Sequence, residues 1–117
     1  MKIISKDIKQ FRQGDCLITR IDNLPGNLTK VAPEKGKFIV AHSETGHHHV
    51  LDAIPGVEVL NSPDPLVSYM TVIETVETTL EHLRSFDTHE GYLIPGGTYE
   101  IRRQRERSPE GWVRVND

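Results

Sequence analysis

Residues 66 to 85 read LVSYMTVIETVETTLEHLRS, a stretch of 20 residues without glycine or proline. Its length allows one long helix, and helix is the alternative to be weighed. Valine, isoleucine and threonine dominate it, and their branched Cβ atoms crowd a helical turn but pack well on a pleated surface. We therefore read two strands, Met70 to Thr75 and Leu80 to Arg84, joined by a turn at Val76-Glu77-Thr78-Thr79. With that choice the long helix disappears and the chain reads as all-β.

The flanking segments agree. Upstream, CLITRI from Cys16 to Ile21 follows the turn Gln13-Gly14-Asp15 and ends at Asp22-Asn23-Leu24-Pro25-Gly26-Asn27. Lys37 to His42, His47 to Leu51 and Val57 to Leu60 are further short apolar runs bounded by glycine and proline. Downstream, Gly91 to Ile94 leads through Pro95-Gly96-Gly97 into a strand from Thr98 to Arg103, and Trp112 to Val115 is a final short candidate. Strands punctuated about every 8 to 12 residues predict a single small antiparallel barrel or sandwich. Residues 1 to 13, with Ile3, Ile4, Ile8 and Phe11 among lysines, are expected to form a peripheral segment, a short helix or an edge strand docked on the body.

The chain has 117 residues, 36% of them apolar and 26% charged, enough for one domain with a modest core. No run approaches the roughly 20 apolar residues of a membrane helix, and the first residues lack the apolar middle of a signal peptide. A cytoplasmic protein with no membrane partner is the expectation. One cysteine, Cys16, excludes an internal disulfide and a thiolate-rich zinc finger. It is read as a buried, inert thiol. The net charge of −3 argues against a general affinity for nucleic acid. Between Val40 and Gly91, however, nine acids face the single base Arg84, and the run IRRQRER from Ile101 to Arg107 is locally basic.

Six histidines are the unusual resource, and three of them are adjacent in Thr45-Gly46-His47-His48-His49. Alternate residues of a strand share a face, so His47 and His49 would project together and His48 oppositely. Two such nitrogens can begin a site for a divalent ion, with zinc, iron, manganese and nickel as candidates. His89 is the preferred third ligand, with His82 the other candidate, and Glu44 or Glu100 can add a carboxylate. His82 and His42 are more simply explained as strand surface. The bland alternative is a solvated histidine hairpin, or a core histidine satisfied by the backbone.

His47-x-His49 followed later by Ile94-Pro95-Gly96-Gly97-Thr98-Tyr99-Glu100 resembles the two motifs of the cupin superfamily. That resemblance implies a small antiparallel barrel holding a divalent metal by a His-x-His pair, a glutamate and a later histidine. Two departures stand out: Glu100 occupies the slot of the later histidine, and Asp52 is the nearest acid downstream of His49. A closer resemblance is to a set of uncharacterised small bacterial and phage proteins. They share Gly14-Asp15, Thr45-Gly46-His47-His48-His49, His89, Pro95-Gly96-Gly97-Thr98-Tyr99 and Arg103-Gln104-Arg105-Glu106. This likeness implies one domain containing His47, His49 and His89.

Strand alternation would place Arg103, Arg105 and Arg107 on one face, an array suited to phosphate or carboxylate. We take Arg103 and Arg105 as a candidate anion site, with a solvated terminal strand as the alternative. Two functional classes follow. One is a cupin-like metal-dependent enzyme acting on a small molecule, with metal ligands His47, His49, His89 and Glu100 and with Glu44 as base. The other is a non-catalytic binding or accessory module, phage or mobile-element associated, that recognises an anionic ligand or a protein. A homodimer formed through a free sheet edge is compatible with either.

Overall fold

The computed structural model describes residues 1–41, 48–83, 88–108 and 111–114. Among them are 13 strands and no helix. In chain order the first seven are β1 (Lys2–Ile3), β2 (Gln10–Gln13), β3 (Cys16–Ile21), β4 (Thr29–Lys30), β5 (Lys37–Ala41), β6 (His49–Asp52) and β7 (Val57–Asn61). The rest are β8 (Val67–Val72), β9 (Thr78–Leu83), β10 (Thr88–Ile94), β11 (Gly97–Arg103), β12 (Arg105–Ser108) and β13 (Gly111–Arg114). One sheet has the order β1-β10-β9-β6-β5 and the second β2-β3-β11-β8-β7-β4, while β12 and β13 form a separate hairpin. Pairing is antiparallel throughout except for β1 against β10. The two larger sheets pack as a sandwich, so the all-β reading holds.

The stretch that decides the fold is two strands, as expected, but they do not form a hairpin. The link lies earlier than predicted, over Ile73 to Glu77, where the Val76 amide donates to the Ile73 carbonyl at 3.0 Å. β8 then sits between β7 and β11 in one sheet, and β9 between β6 and β10 in the other. The physical reason is visible in β8: Val67, Ser68, Tyr69 and Met70 are all buried, as befits a central strand covered on both faces. A switch of sheet at Ile73 lets the apolar faces of β8 and β9 meet instead of lying side by side.

A second switch occurs at Pro95-Gly96, between β10 and β11. There the two connections touch. A Cβ on Gly96 would lie 2.6 Å from the Glu74 Cα and 2.8 Å from the Ile73 carbonyl oxygen, so only glycine fits. The Tyr99 hydroxyl donates to the Pro95 carbonyl at 2.7 Å and fastens the corner from inside.

Between the sheets lies one apolar cluster that includes Ile4, Ile18, Phe38, Leu51, Val59, Met70, Leu80, Ile94, Tyr99 and Ile101. Alternation sets it up on β11, where Tyr99, Ile101 and Arg103 point inward and Arg102 outward. The N-terminal segment contributes edges rather than a helix. β1 borders one sheet, β2 borders the other, and Ile4 is 2% exposed within the core.

Candidate metal centre

At one end of the sandwich the inward-facing residues become polar. From the first sheet come His49 on β6 and His82 on β9, which are direct cross-strand partners. From the second come Gln13, Asp15 and Cys16 around the β2–β3 turn, and Arg103, the cross-strand partner of Cys16 on β11. All six are buried, His82 completely.

The β2–β3 turn explains how a carboxylate reaches the interior. Gln13 pairs with Cys16, leaving Gly14-Asp15 as a two-residue loop. Gly14 adopts φ +55, the conformation such tight loops demand at their first position. It is also packed against the histidines, since a Cβ there would meet His82 Cε1 at 2.6 Å, His82 Nδ1 at 2.8 Å and His49 Cε1 at 3.2 Å. With glycine in place the loop presses inward, and Asp15 lands beside His49.

The donors and acceptors of the group are matched pair by pair. The Gln13 side-chain amide donates to the Leu80 carbonyl at 3.1 Å, which leaves its Oε1 to accept from His49 Nδ1 at 2.9 Å. The other ring nitrogen, Nε2, faces Asp15 Oδ1 at 3.0 Å. Asp15 Oδ2 in turn accepts from Arg103 Nη2 at 3.3 Å and Nε at 3.4 Å, and the Cys16 thiol lies 3.7 Å from Oδ1. Nε2 has two ways to meet a carboxylate: as a second N–H donor within a buried ion pair, or as a lone pair that shares a cation with Oδ1.

The second arrangement has the composition of a metal site. Donor atoms of Asp15, Cys16 and His49 all lie within 4.8 Å of one another, the one such group among the described residues. Zinc bonds of about 2.0 to 2.3 Å in a tetrahedron put oxygen and nitrogen donors about 3.3 Å apart, and oxygen and sulfur donors about 3.5 Å apart. The separations of 3.0 and 3.7 Å are near those values. The outer contacts fit as well, because a ligating histidine ordinarily donates its other N–H to an oxygen and a ligating carboxylate is itself hydrogen-bonded. Gln13 and Arg103 occupy those two roles. A buried Asp15, Cys16 and His49 group could thus hold a metal ion.

The residues singled out from the sequence are distributed unevenly around this centre. His49 is in it, 1% exposed. His47, Glu44 and His42 lie outside the described residues. His89 pairs by backbone with His82, which pairs with His49, so three histidines share one register level across β10, β9 and β6. Glu100 is not brought to His49: it is on the opposite face of β11 from Arg103 and accepts from Arg102 Nε at 3.3 Å. Arg103 does not join an exposed arginine array either. It points inward to Asp15, and Arg105 belongs to the separate β12–β13 hairpin beyond Gln104.

The reading of His82 as strand surface is corrected, because it is 0% exposed and stacked on His49. Cys16 is buried as expected but stands among potential ligands. Asp15, Gln13 and Cys16 were missed as site residues. The available signal was Gly14-Asp15 in a two-residue turn, which sends a charged side chain to the root of an inward-facing strand.

Neither a curated protein nor a solved structure matches the chain. A family profile does match, over residues 12–104, from the strand that carries Gln13 to the residue after Arg103. The chain therefore belongs to the DUF8820 family, a domain of unknown function.

Proposed function

We propose that this domain binds one divalent metal ion through Asp15, Cys16 and His49, and that the ion serves chemistry on a small molecule. The observation that carries the reading is the convergence of three unlike donors within 4.8 Å, with His49 steadied from outside by Gln13 and Asp15 by Arg103. A mixed nitrogen, oxygen and sulfur set suits zinc best, and iron or nickel next. The thiolate makes manganese, which favours oxygen ligands, the poorest of the four candidates. Three protein ligands leave a fourth position of the kind catalytic zinc uses to activate water or polarise a carbonyl.

A second reading is a closed structural centre in a non-catalytic binding module. One observation favours it: Asp15, Cys16 and His49 are each only 1 to 2% exposed, which restricts access to a fourth position. Binding of azide or a small thiol to the cobalt-substituted protein, seen as a change in its visible spectrum, separates an open ion from a closed one.

The founding experiment is elemental mass spectrometry on protein purified without an affinity tag, followed by titration with zinc. About one equivalent of metal per chain is expected, and it should be lost in the His49→Gln, Cys16→Ser double variant. Stoichiometric metal in that variant overturns the site, and no uptake by the native protein overturns the reading.

A further inference from the structure

A cleft of about 590 Å³ opens between the loops before β5 and β8, within the usual size range of small-molecule sites. Val31, Ile39, Pro65 and Leu66 give it apolar walls, and Arg103 is the one cation among the described residues that line it. We propose that this cleft binds a small molecule with an apolar body and a single terminal carboxylate, which the guanidinium of Arg103 receives. The proposal stands apart from the metal reading, since it requires no ion.

Three features carry it. Arg103 is 8% exposed, so its charge is largely withdrawn from water and an anion reaching it exchanges weak solvation for a planar fork. Its contacts to Asp15, at 3.3 and 3.4 Å, are long for a charge-assisted bond, which is ordinarily about 2.7 to 2.9 Å. Those contacts use Nε and Nη2, and Nη1 has no hydrogen-bond partner among the described residues. One edge of the fork thus remains for a second anion.

The same surroundings set the ligand's charge. Asp15 lies behind Arg103, and Glu34 and Asp64 line the cleft. Asp64 Oδ1 is already occupied as acceptor for the Leu66 amide at 2.9 Å. Negative charge is thus already present in the cleft, and it opposes a dianion about twice as strongly as a monoanion, so the free edge of the fork is suited to a ligand with a single charge. The apolar walls then favour a carboxylate with a hydrocarbon body over a hydrophilic one.

The test is NMR titration of the intact chain, following the Arg103 Nε–H signal and the Leu66 and Val67 amides. Hexanoate is expected to shift all three saturably, and hexanamide, its uncharged counterpart, to bind at least 10-fold more weakly. Ala32 is exposed on the cleft wall, so Ala32→Trp should fill the cleft, keep the fold and weaken hexanoate at least 10-fold. Equal binding of hexanamide overturns the role of Arg103. Shifts by inorganic phosphate as strong as those by hexanoate overturn the role of the apolar walls. Running the titration on chelator-treated and zinc-loaded protein separates this proposal from the preceding one. Binding by the chelator-treated protein upholds the cleft even where the metal reading fails, and binding only after zinc addition moves the anion to the ion and overturns the cleft.

Discussion

The imidazole of His49 lies flat on that of His82, with ring centroids 4.0 Å apart and planes within 8° of parallel. The two residues are direct partners across β6 and β9, so the strand register brings the rings together. Gly14 closes the stack from the facing sheet, and Gln13 and Asp15 hold the two nitrogens of His49 from either side of that glycine. The β2–β3 turn and the histidine pair therefore form one packed unit spanning the sandwich.

Replacing Gly14 should dismantle that unit. Gly14→Ala is strained at φ +55 and drives a methyl into the His82 ring. A loss of about 2 to 4 kcal/mol is expected, the scale of a wrong backbone conformation combined with overpacking. Thermal melts of the two proteins measure it, and an unchanged melting temperature would mean that the ring pair yields without cost.

Breaking the Asp15–Arg103 pair from one side should cost more than replacing both partners. A single Arg103→Met takes the guanidinium away from a buried carboxylate and is expected to destabilise by about 3 to 5 kcal/mol. The double Asp15→Leu, Arg103→Met variant removes both charges and should recover much of that loss. Urea unfolding of the single and double variants gives the coupling, and simple additivity would contradict a direct pair.

Gln13→Ala keeps every proposed ligand but removes the oxygen that accepts from His49 Nδ1. Zinc affinity is expected to fall about 10- to 100-fold, the range for loss of such an outer contact. Competition with a chelating dye reads it out, against complete loss of binding in His49→Gln.

Stability should decline at alkaline pH partly through Tyr99. Burial raises the hydroxyl above the ordinary value of 10.0, against the opposing influence of Arg20 and with a smaller push from Glu74. Below the unfolded value the phenol is neutral in both states and its contribution is fully present; as pH rises through the raised folded value, it is lost. Lys37, raised above 10.5 chiefly by its hydrogen bond to Asp52, acts in the same direction. Melting temperatures from pH 9 to 12 should therefore fall less steeply in Tyr99→Phe than in the native chain. An identical slope would remove Tyr99 as a contributor.

Much of the fold was legible in residue order. Branched residues and turn formers are local signals, so CLITRI appeared as the strand Cys16–Ile21, and the stretch from Leu66 resolved into two strands rather than a helix. The same local signals do not say which strands pair. The switches of sheet at Ile73 and Pro95-Gly96 depend on which apolar faces must be covered and on the close approach of Gly96 to Glu74. Those are properties of the assembled sandwich.

The site divides along the same line. A histidine-rich strand end was evident from the sequence, and His49 with it, because strand alternation is a property of the backbone itself. The partners of His49 were not evident. Asp15 is 34 residues from His49 in the chain and Arg103 is 88 from Asp15, and neither belongs to a histidine motif. The tertiary structure alone decided that a glycine turn from one sheet would carry a carboxylate and a thiol to a histidine of the other, with the arginine behind them. The reason is physical: buried polar groups must find partners, and which partners are within reach is set only when the two sheets close on each other.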